Sequence, residues 1–254
     1  MSEELLSRSD GAVCHLTLNR PRRRNALTPD LARELAAHLD QVEETGDAEL
    51  VILTGAGGHF CAGLDLHWLR SLEGGATAHD LQRGLGDFQS VVLAIVRCPV
   101  PVIAVVRGTA AGFGLDLAVA CDLRIAAAGA TFTSAFARMG LVPDGGSTFT
   151  LPRLVGVGPA LRLLLTGETV DADRAYAIGL VDEVIDDAGL DEGVQTIAEK
   201  ILGSAPMSIR TIKRLVRTGD LGALEQALAT EGTAQLQALQ GPEFRRRLEA
   251  FLAQ

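Results

Sequence analysis

Short apolar runs and longer stretches of helical periodicity alternate along this chain. Alternating apolar and polar residues over 12–18 predict a strand, and apolar runs predict further strands at 49–53, 102–106 and 122–127. Helices are predicted between these strands, at 29–45, near 65–71, at 80–97 and in the residues leading to Ala120. This order of strands and helices predicts an α/β fold with a largely parallel sheet and helices packed on it.

The first helix has recognisable start and stop signals. Thr28 is the expected N-cap, and Pro29 suits the first helical position because it has no amide hydrogen to satisfy. Gly46 is expected to end the helix after Thr45. A loop rich in glycine and alanine is predicted at 73–78.

The pattern changes in the last third of the chain. A loop at 140–147 leads into a predicted helix at 147–155, and after Gly179–Ile185 the pattern predicts helices only, at 189–203, 206–217, 220–240 and 242–253. We therefore divide the chain into a core at 1–195 and a helical region at 196–254. Because such a tail buries little surface against itself, it is expected to dock on the core or on another subunit.

Composition narrows the functional classes. The 254 residues suit one α/β domain, and the net charge of −9 argues against nucleic-acid binding, which needs a basic surface. No apolar run reaches the roughly 18 residues of a membrane span, and residues 1–10 do not resemble a secretory signal. The cysteines lack C-x-x-C spacing, so reduced thiols and a cytoplasmic location are expected: Cys14, Cys61, Cys98 and Cys121.

Two glycine-rich turns, at 54–66 and 107–116, each follow an apolar strand and lead into a helix. The first amides of such a helix have no intrahelical acceptor, and the positive end of the helix dipole lies behind them. One turn of this kind is common. Two that converge suggest an oxyanion hole, in which paired amides stabilise an oxygen that gains negative charge.

The segments around these turns resemble the crotonase superfamily, the enoyl-CoA hydratase/isomerase family. Five segments carry the resemblance: Leu-Asn-Arg-Pro through Arg-Asn-Ala-Leu at 18–27, Phe-Cys-Ala-Gly-Leu-Asp-Leu at 60–66, residues 108–122, residues 140–154 and Gly-Leu-Val at 179–181. The resemblance implies a spiral of ββα turns, with a C-terminal helical region that forms trimers or dimers of trimers. It also implies an acyl-CoA thioester substrate, an enolate-like intermediate and no other cofactor.

By this resemblance, the two amide donors belong to Leu64 and Phe113, and Arg24 contacts CoA. A guanidinium suits that contact because it pairs with phosphate or stacks on adenine. The residues expected to contact substrate or CoA are Arg24, Ala26, Ala62, Leu64, Asp65, Leu66, Gly112, Phe113 and Phe136. The basic residue that the family usually places after a C-terminal Phe-Leu is not found after Phe251–Leu252, so the resemblance does not extend to that CoA phosphate contact.

The carboxylates distinguish the possible reactions. Typical hydratases of the family carry two glutamates, but here the first position holds Asp116 and the second holds Phe136. Asp144, in the loop Val-Pro-Asp-Gly-Gly, lies where some enoyl-CoA isomerases and the ring-rearranging isomerases of phenylacetate breakdown have an acidic residue. We therefore predict an isomerase with Asp144 as base, its pKa raised by apolar neighbours, and Asp116 as a second acid or orienting group.

Several alternatives stay open at this point. One is a hydratase that uses Asp116 and Asp144 together, a 4-chlorobenzoyl-CoA dehalogenase is a minor alternative, and a non-catalytic acyl-CoA-binding homologue is a third. Asp65 is more simply a helix cap than a reacting group, and both Asp116 and Asp144 have structural alternatives of their own. His59, Cys61 and His67 do not form a convincing metal-ligand set, so no metal is expected.

Overall fold

A computed structural model describes residues 3–71 and 78–253 of the chain. Within these residues nine strands form: β1 Leu5–Asp10, β2 Val13–Leu18, β3 Leu50–Gly55, β4 Val102–Val106, β5 Thr109–Ala111, β6 Leu123–Ala127, β7 Thr131–Thr133, β8 Thr169–Asp171 and β9 Glu183–Ile185. The α-helices described are α1 Pro29–Thr45, α2 Leu66–Ser71, α3 Ala78–Arg97, α4 Phe113–Ala120, α5 Ser147–Val155, α6 Val157–Thr166, α7 Ala172–Ala177, α8 Leu190–Leu202, α9 Pro206–Gln240 and α10 Pro242–Leu252.

The larger sheet has the order β1-β2-β3-β4-β6-β9. Its neighbouring strands are parallel except for the antiparallel pair β1–β2, which confirms the predicted largely parallel sheet. Successive residues of β3 enter different cores: Val51 and Leu53 join the larger cluster, whereas Leu50 and Ile52 join a second cluster on the other face. The sheet is therefore covered on both sides, as parallel sheets usually are.

A second sheet of three short strands, in the order β5-β7-β8, makes the chain wind as a spiral. After β4 in the first sheet, the chain adds β5 to the second sheet and then forms α4. After β6 it repeats this step by adding β7 beside β5. The ββα winding is the one that the resemblance implies, and it places the start of α4 at the edge of the second sheet.

The start and end of α1 are as predicted. The Thr28 hydroxyl accepts a hydrogen bond from Leu31 N, Pro29 occupies the first turn, and Gly46 adopts a left-handed conformation at the C-cap. Ala78 already lies in α3, and the rest of the loop predicted at 73–78 lies outside the described residues. None of the helices in the described part of the chain is long and apolar enough to cross a membrane.

The sequence pattern missed several elements. β1 is exposed over most of its length, so it has no apolar alternation to detect. β5, β7 and β8 have three residues each, too few for a periodic pattern, and the helices α6 and α7 were also missed.

The predicted break between residues 217 and 220 is wrong, because α9 continues through it. Glycine in a helix costs about 1 kcal/mol relative to alanine, and packing elsewhere along α9 outweighs that cost. Lys213 anchors the first half of the helix, with its Nζ 2.6 Å from Asp122 Oδ2 and bonded to the carbonyls of Ile95 and Val100.

The C-terminal helices dock on the core, one of the two predicted outcomes. The division expected between residues 195 and 196 falls inside α8, whose Leu190, Val194 and Ala198 pack against the second face of the large sheet. α9 then crosses the opposite side of the molecule and packs on α3 and α5. The long helix therefore lies beside the loop at 140–147.

Candidate active site

Backbone hydrogen bonds join the first glycine turn to Leu27 on one side and to the second glycine turn on the other. Leu27 N donates to Gly63 O at 2.7 Å and Asp65 N donates to Leu27 O at 2.8 Å. On the other side, Cys61 N donates to Thr109 O at 3.0 Å and Ala111 N donates to Cys61 O at 2.9 Å. These bonds fix the first turn against the second one.

Gly63 lies directly against the start of α4. Its φ is +97°, and a Cβ at this position would stand 2.7 Å from Ala111 O and 3.2 Å from Phe113 N. Glycine is therefore required here for both conformation and space. The close approach brings the amide of the next residue, Leu64, near the amide of Phe113.

Both amides are free to bind an oxygen anion. Gly63 O and Asp65 N face Leu27, so the amide of Leu64 between them points to the opposite side of the extended chain. Phe113 is the first residue of α4, where amides have no intrahelical acceptor. Neither amide has a hydrogen-bond acceptor among the described residues. Gly112, the N-cap, has a φ of +52° and donates to Thr133 O.

Arg24 lies next to the first glycine turn. Arg24 and Asn25 have positive φ values of 47° and 57°, an uncommon conformation for residues other than glycine. The buried Asn25 side chain stabilises the turn through bonds to Ala56 O and His59 O, and Ala62 N donates to Arg24 O at 2.9 Å. The Arg24 backbone is thereby held beside Ala62 and its side chain is exposed, while Ala26 is buried in the same turn.

Asp65 has the capping role that the simpler interpretation predicts. Its Oδ1 accepts bonds from His67 N and Trp68 N at the start of α2, and its Oδ2 pairs with Arg20 at 2.8 Å. Burial alone would raise the pKa of Asp65, but the bonds from Arg20, Trp68 and His67 outweigh it and lower the pKa. The side chain is thus committed to structure, while Leu66 begins α2 and is partly buried.

Asp116 is completely buried in the first turn of α4. Its Oδ2 accepts a bond from Gly145 N at 3.1 Å, and its Oδ1 has no partner among the described residues. Burial raises the pKa of Asp116 well above its ordinary value, and the charges of Glu231 and Asp144 raise it further. The nearby Ser147 hydroxyl opposes the shift, although its geometry falls short of a hydrogen bond. Asp116 therefore favours its protonated, neutral form.

Asp144 occupies the loop that precedes α5 and is 1% exposed. Its Oδ2 accepts a bond from Gln235 Nε2 at 3.1 Å, whereas its Oδ1 has no partner among the described residues. Burial raises the pKa of Asp144 to about 7, opposed by the Gln235 bond and assisted by the charge of Glu231. A carboxyl with this pKa can both accept and return a proton near neutral pH.

Gly145 lets the Asp144 loop approach α4. A Cβ at Gly145 would lie 2.7 Å from Asp116 Oδ2 and 2.9 Å from Phe113 Cε2. The loop therefore touches the two α4 residues that the sequence singled out, Phe113 and Asp116. Phe136 is also buried and shares the main apolar cluster with Phe113, so the position of the missing glutamate is part of an apolar wall.

The sequence analysis missed three polar residues that hold this loop. Glu231 accepts bonds from Gly146 N at 2.7 Å and Thr148 N at 2.9 Å, which caps the start of α5. Gln235 is completely buried, and Gln89 donates to the carbonyl of Asp144 at 3.3 Å. One signal was available, because Glu231 and Gln235 continue the buried stripe of Leu224 and Leu228 at helical spacing.

His59 and Cys61, which the sequence analysis considered as metal ligands and set aside, have other contacts. His59 Nδ1 accepts a hydrogen bond from Thr109 N at 3.3 Å. Cys61 is buried where the first turn pairs with the second, and burial raises the pKa of its thiol to about 12. All four cysteines are free and buried, in agreement with the prediction.

Comparison with known proteins identifies the family. The profile of the enoyl-CoA hydratase/isomerase family matches residues 8–254. The chain is 36% identical over 254 residues to the 1,2-epoxyphenylacetyl-CoA isomerase of Escherichia coli strain K12, covering 100% of this chain and 97% of that protein. It is 35% identical over 227 residues to the short-chain-enoyl-CoA hydratase of Clostridium acetobutylicum, covering 89% and 85%.

The structural comparison agrees. A crystal structure of an enoyl-CoA hydratase/isomerase from Mycobacterium paratuberculosis matches with a TM-score of 0.92 at 30% identity, covering 98% of this chain and 99% of that one. The relatives bear names of both isomerases and hydratases, which sets aside a non-catalytic homologue. The chain is therefore an enzyme of the isomerase or lyase class and belongs to the crotonase superfamily, in its enoyl-CoA hydratase/isomerase family.

Proposed function

We propose that this enzyme is an enoyl-CoA isomerase that moves a carbon–carbon double bond from the 3-position to the 2-position of an acyl-CoA thioester. The observation that carries the proposal is the buried Asp144 carboxylate, which has one unpartnered oxygen and lies in a loop packed on the start of α4. The free amides of Leu64 and Phe113 lie at that same helix end.

The chemistry needs one base and one anion site. Asp144 takes a proton from C2, and the electron pair of the broken C–H bond moves into the thioester to give a dienolate. The amides of Leu64 and Phe113 stabilise the negative oxygen of that dienolate. Asp144 then returns the proton to C4, which leaves the double bond between C2 and C3 and the carboxylate as it began.

Asp116 supports this reaction in its neutral form. Its raised pKa makes it a proton donor instead of a competing base, and its bond to Gly145 N holds the residue next to Asp144. Two carboxyls in different protonation states can divide the acid and base roles between them. Arg24, exposed beside Ala62, is proposed to bind the CoA moiety, and the thioester substrate is the only group required besides the protein.

A hydratase is the second candidate function. Asp116 and Asp144 each retain one unpartnered carboxyl oxygen. A water molecule between them would have the neutral Asp116 as acid and Asp144 as base. The similarity to the short-chain-enoyl-CoA hydratase of Clostridium acetobutylicum supports this alternative. The apolar Phe136 at the position of the second family glutamate argues for isomerisation.

One experiment separates the two functions. The enzyme is incubated in heavy water with a panel of 3-enoyl- and 2-enoyl-CoA thioesters, and the products are analysed by mass spectrometry for deuterium at C2 and C4. We expect 3-enoyl substrates to become conjugated 2-enoyl products without the mass of an added water. Addition of water to 2-enoyl substrates without double-bond migration would favour the hydratase, and neither reaction on any chain length would contradict both proposals.

We also propose that the enzyme assembles as a trimer or a dimer of trimers through its C-terminal helices. Met207, Leu215 and Val216 of α9 are 75%, 69% and 69% exposed, which is unusual for large apolar side chains on one helix. We expect light scattering of the purified protein to give three or six times the mass of the chain. A monomer at micromolar concentration would contradict this proposal.

A further inference from the structure

Building on the proposed function, we propose that Gln235 of α9 is a positioning residue for the base. Its amide holds Oδ2 of Asp144, so that Oδ1 is the oxygen that removes and returns the substrate proton. The geometry thereby assigns different tasks to the two oxygens of one carboxylate, and it gives the C-terminal helix a direct part in the chemistry.

The contacts of Gln235 span both ends of a short loop segment. Its Nε2 donates to Asp144 Oδ2 at 3.1 Å, and its Oε1 accepts from Val142 N at 3.1 Å. Because an amide group is planar, these two bonds fix the Asp144 carboxylate relative to the backbone two residues earlier. Gln235 is 0% exposed, so water does not compete for either bond.

The other carboxylate oxygen of Asp144 lacks such a hydrogen bond. Asp144 Oδ1 is buried and has no hydrogen-bond partner among the described residues. A buried polar atom without a partner is costly, and it usually has a functional explanation in a native protein. Contact with a substrate proton supplies that explanation.

Helix α9 holds Gln235 firmly enough for this task. One turn earlier, Glu231 binds Gly146 N and Thr148 N of the same loop. Gly232 allows a close crossing with α3, since a Cβ there would lie 3.1 Å from Gln89 Nε2. The loop of Asp144 is thus attached to α9 both before and after the base.

The pH dependence of kcat/KM tests this assignment. Two residues of α9 affect the pKa of Asp144: the bond from Gln235 lowers it and the charge of Glu231 raises it. Asp116 of α4 favours its neutral form. In Gln235→Met the donor to Oδ2 is lost, so we expect the acid limb of the profile to rise by about one pH unit. Above that limb kcat is expected to stay about tenfold below wild type with little change in KM, because the carboxylate is no longer oriented.

Two further variants separate positioning from packing. Gln235→Glu keeps the size of the side chain and an acceptor for Val142 N, but it places a second carboxyl against Asp144 Oδ2. We expect an acid limb at least as high as that of Gln235→Met. Gln89→Met removes an amide whose hydrogen bonds, within the described part of the chain, go to the backbone carbonyls of Asp144 and Leu228 and not to the Asp144 carboxylate, so its acid limb is expected to match wild type.

The outcomes separate this inference from the proposed function. An Asp144→Asn enzyme with full isomerase activity would overturn the function itself. If Asp144→Asn is inactive, a wild-type pH profile and kcat in Gln235→Glu would overturn the positioning role alone. An equal shift of the acid limb in Gln89→Met and Gln235→Met would also overturn it, since the effect would then come from general loosening of the loop.

Discussion

Replacing Asp144 with asparagine is expected to lower kcat for double-bond migration by about 10²- to 10⁴-fold, the usual contribution of a general base. Asparagine has the same shape and can still accept the bond from Gln235 through its carbonyl oxygen. It has no basic oxygen to take a proton from C2. Steady-state rates with a 3-enoyl-CoA substrate, followed by the absorbance of the conjugated product, give the measurement.

The pH profile adds a second test of the same residue. Burial raises the pKa of Asp144 to about 7, and the base must be ionised to act. The kcat/KM of the wild-type enzyme is therefore expected to fall as the pH drops below about 7, and this limb should vanish in the residual activity of Asp144→Asn.

Asp116→Asn is the matched control, because it mimics the neutral carboxyl and keeps an acceptor for Gly145 N. We expect this variant to retain the fall of kcat/KM below about pH 7. Full activity of the Asp144 variant, or loss of the limb only in the Asp116 variant, would contradict our assignment of the base.

Much of the fold follows from local sequence signals. Thr28, Pro29 and Gly46 define α1 by capping chemistry that needs no tertiary context. The strands β3 and β4 carry mainly apolar residues on both faces, as β6 does apart from Arg124, so their sequence pattern is easy to recognise. β5 and β7 have no such pattern: they pair with each other, and β5 also pairs with the Cys61 segment.

The candidate site was predictable only in part. The glycine turns and Asp144 could be recognised because backbone donors and a carboxylate in a glycine loop have sequence signatures. Glu231 and Gln235 lie more than 85 residues further along the chain, and their contacts with the loop depend on how α9 crosses α3. Local sequence does not encode such a crossing. Its one local sign is the presence of polar residues within an otherwise apolar helical stripe.

Gly63→Ala is expected to lower kcat by about 10²- to 10³-fold with little effect on KM, as loss of one oxyanion-hole donor does in other enzymes. The added Cβ would stand 2.7 Å from Ala111 O and 3.2 Å from Phe113 N, so the Leu64 and Phe113 amides must move apart. The CoA contact that we propose for Arg24 does not depend on that spacing, which is why KM should change little. The measurement is kcat and KM for the isomerase reaction.

Gly58→Ala provides the control that isolates the amide geometry. Gly58 lies in the same turn with a φ of +82°, but a Cβ there would have no atom within 4 Å. Both variants place alanine at a positive φ, so each is expected to lose about 1 kcal/mol or more of folding stability in thermal denaturation. Only Gly63→Ala disturbs the two amides, and only that variant should lose catalysis. Equal losses of kcat in the two variants would show that backbone strain, and not the separation of the Leu64 and Phe113 amides, controls the rate.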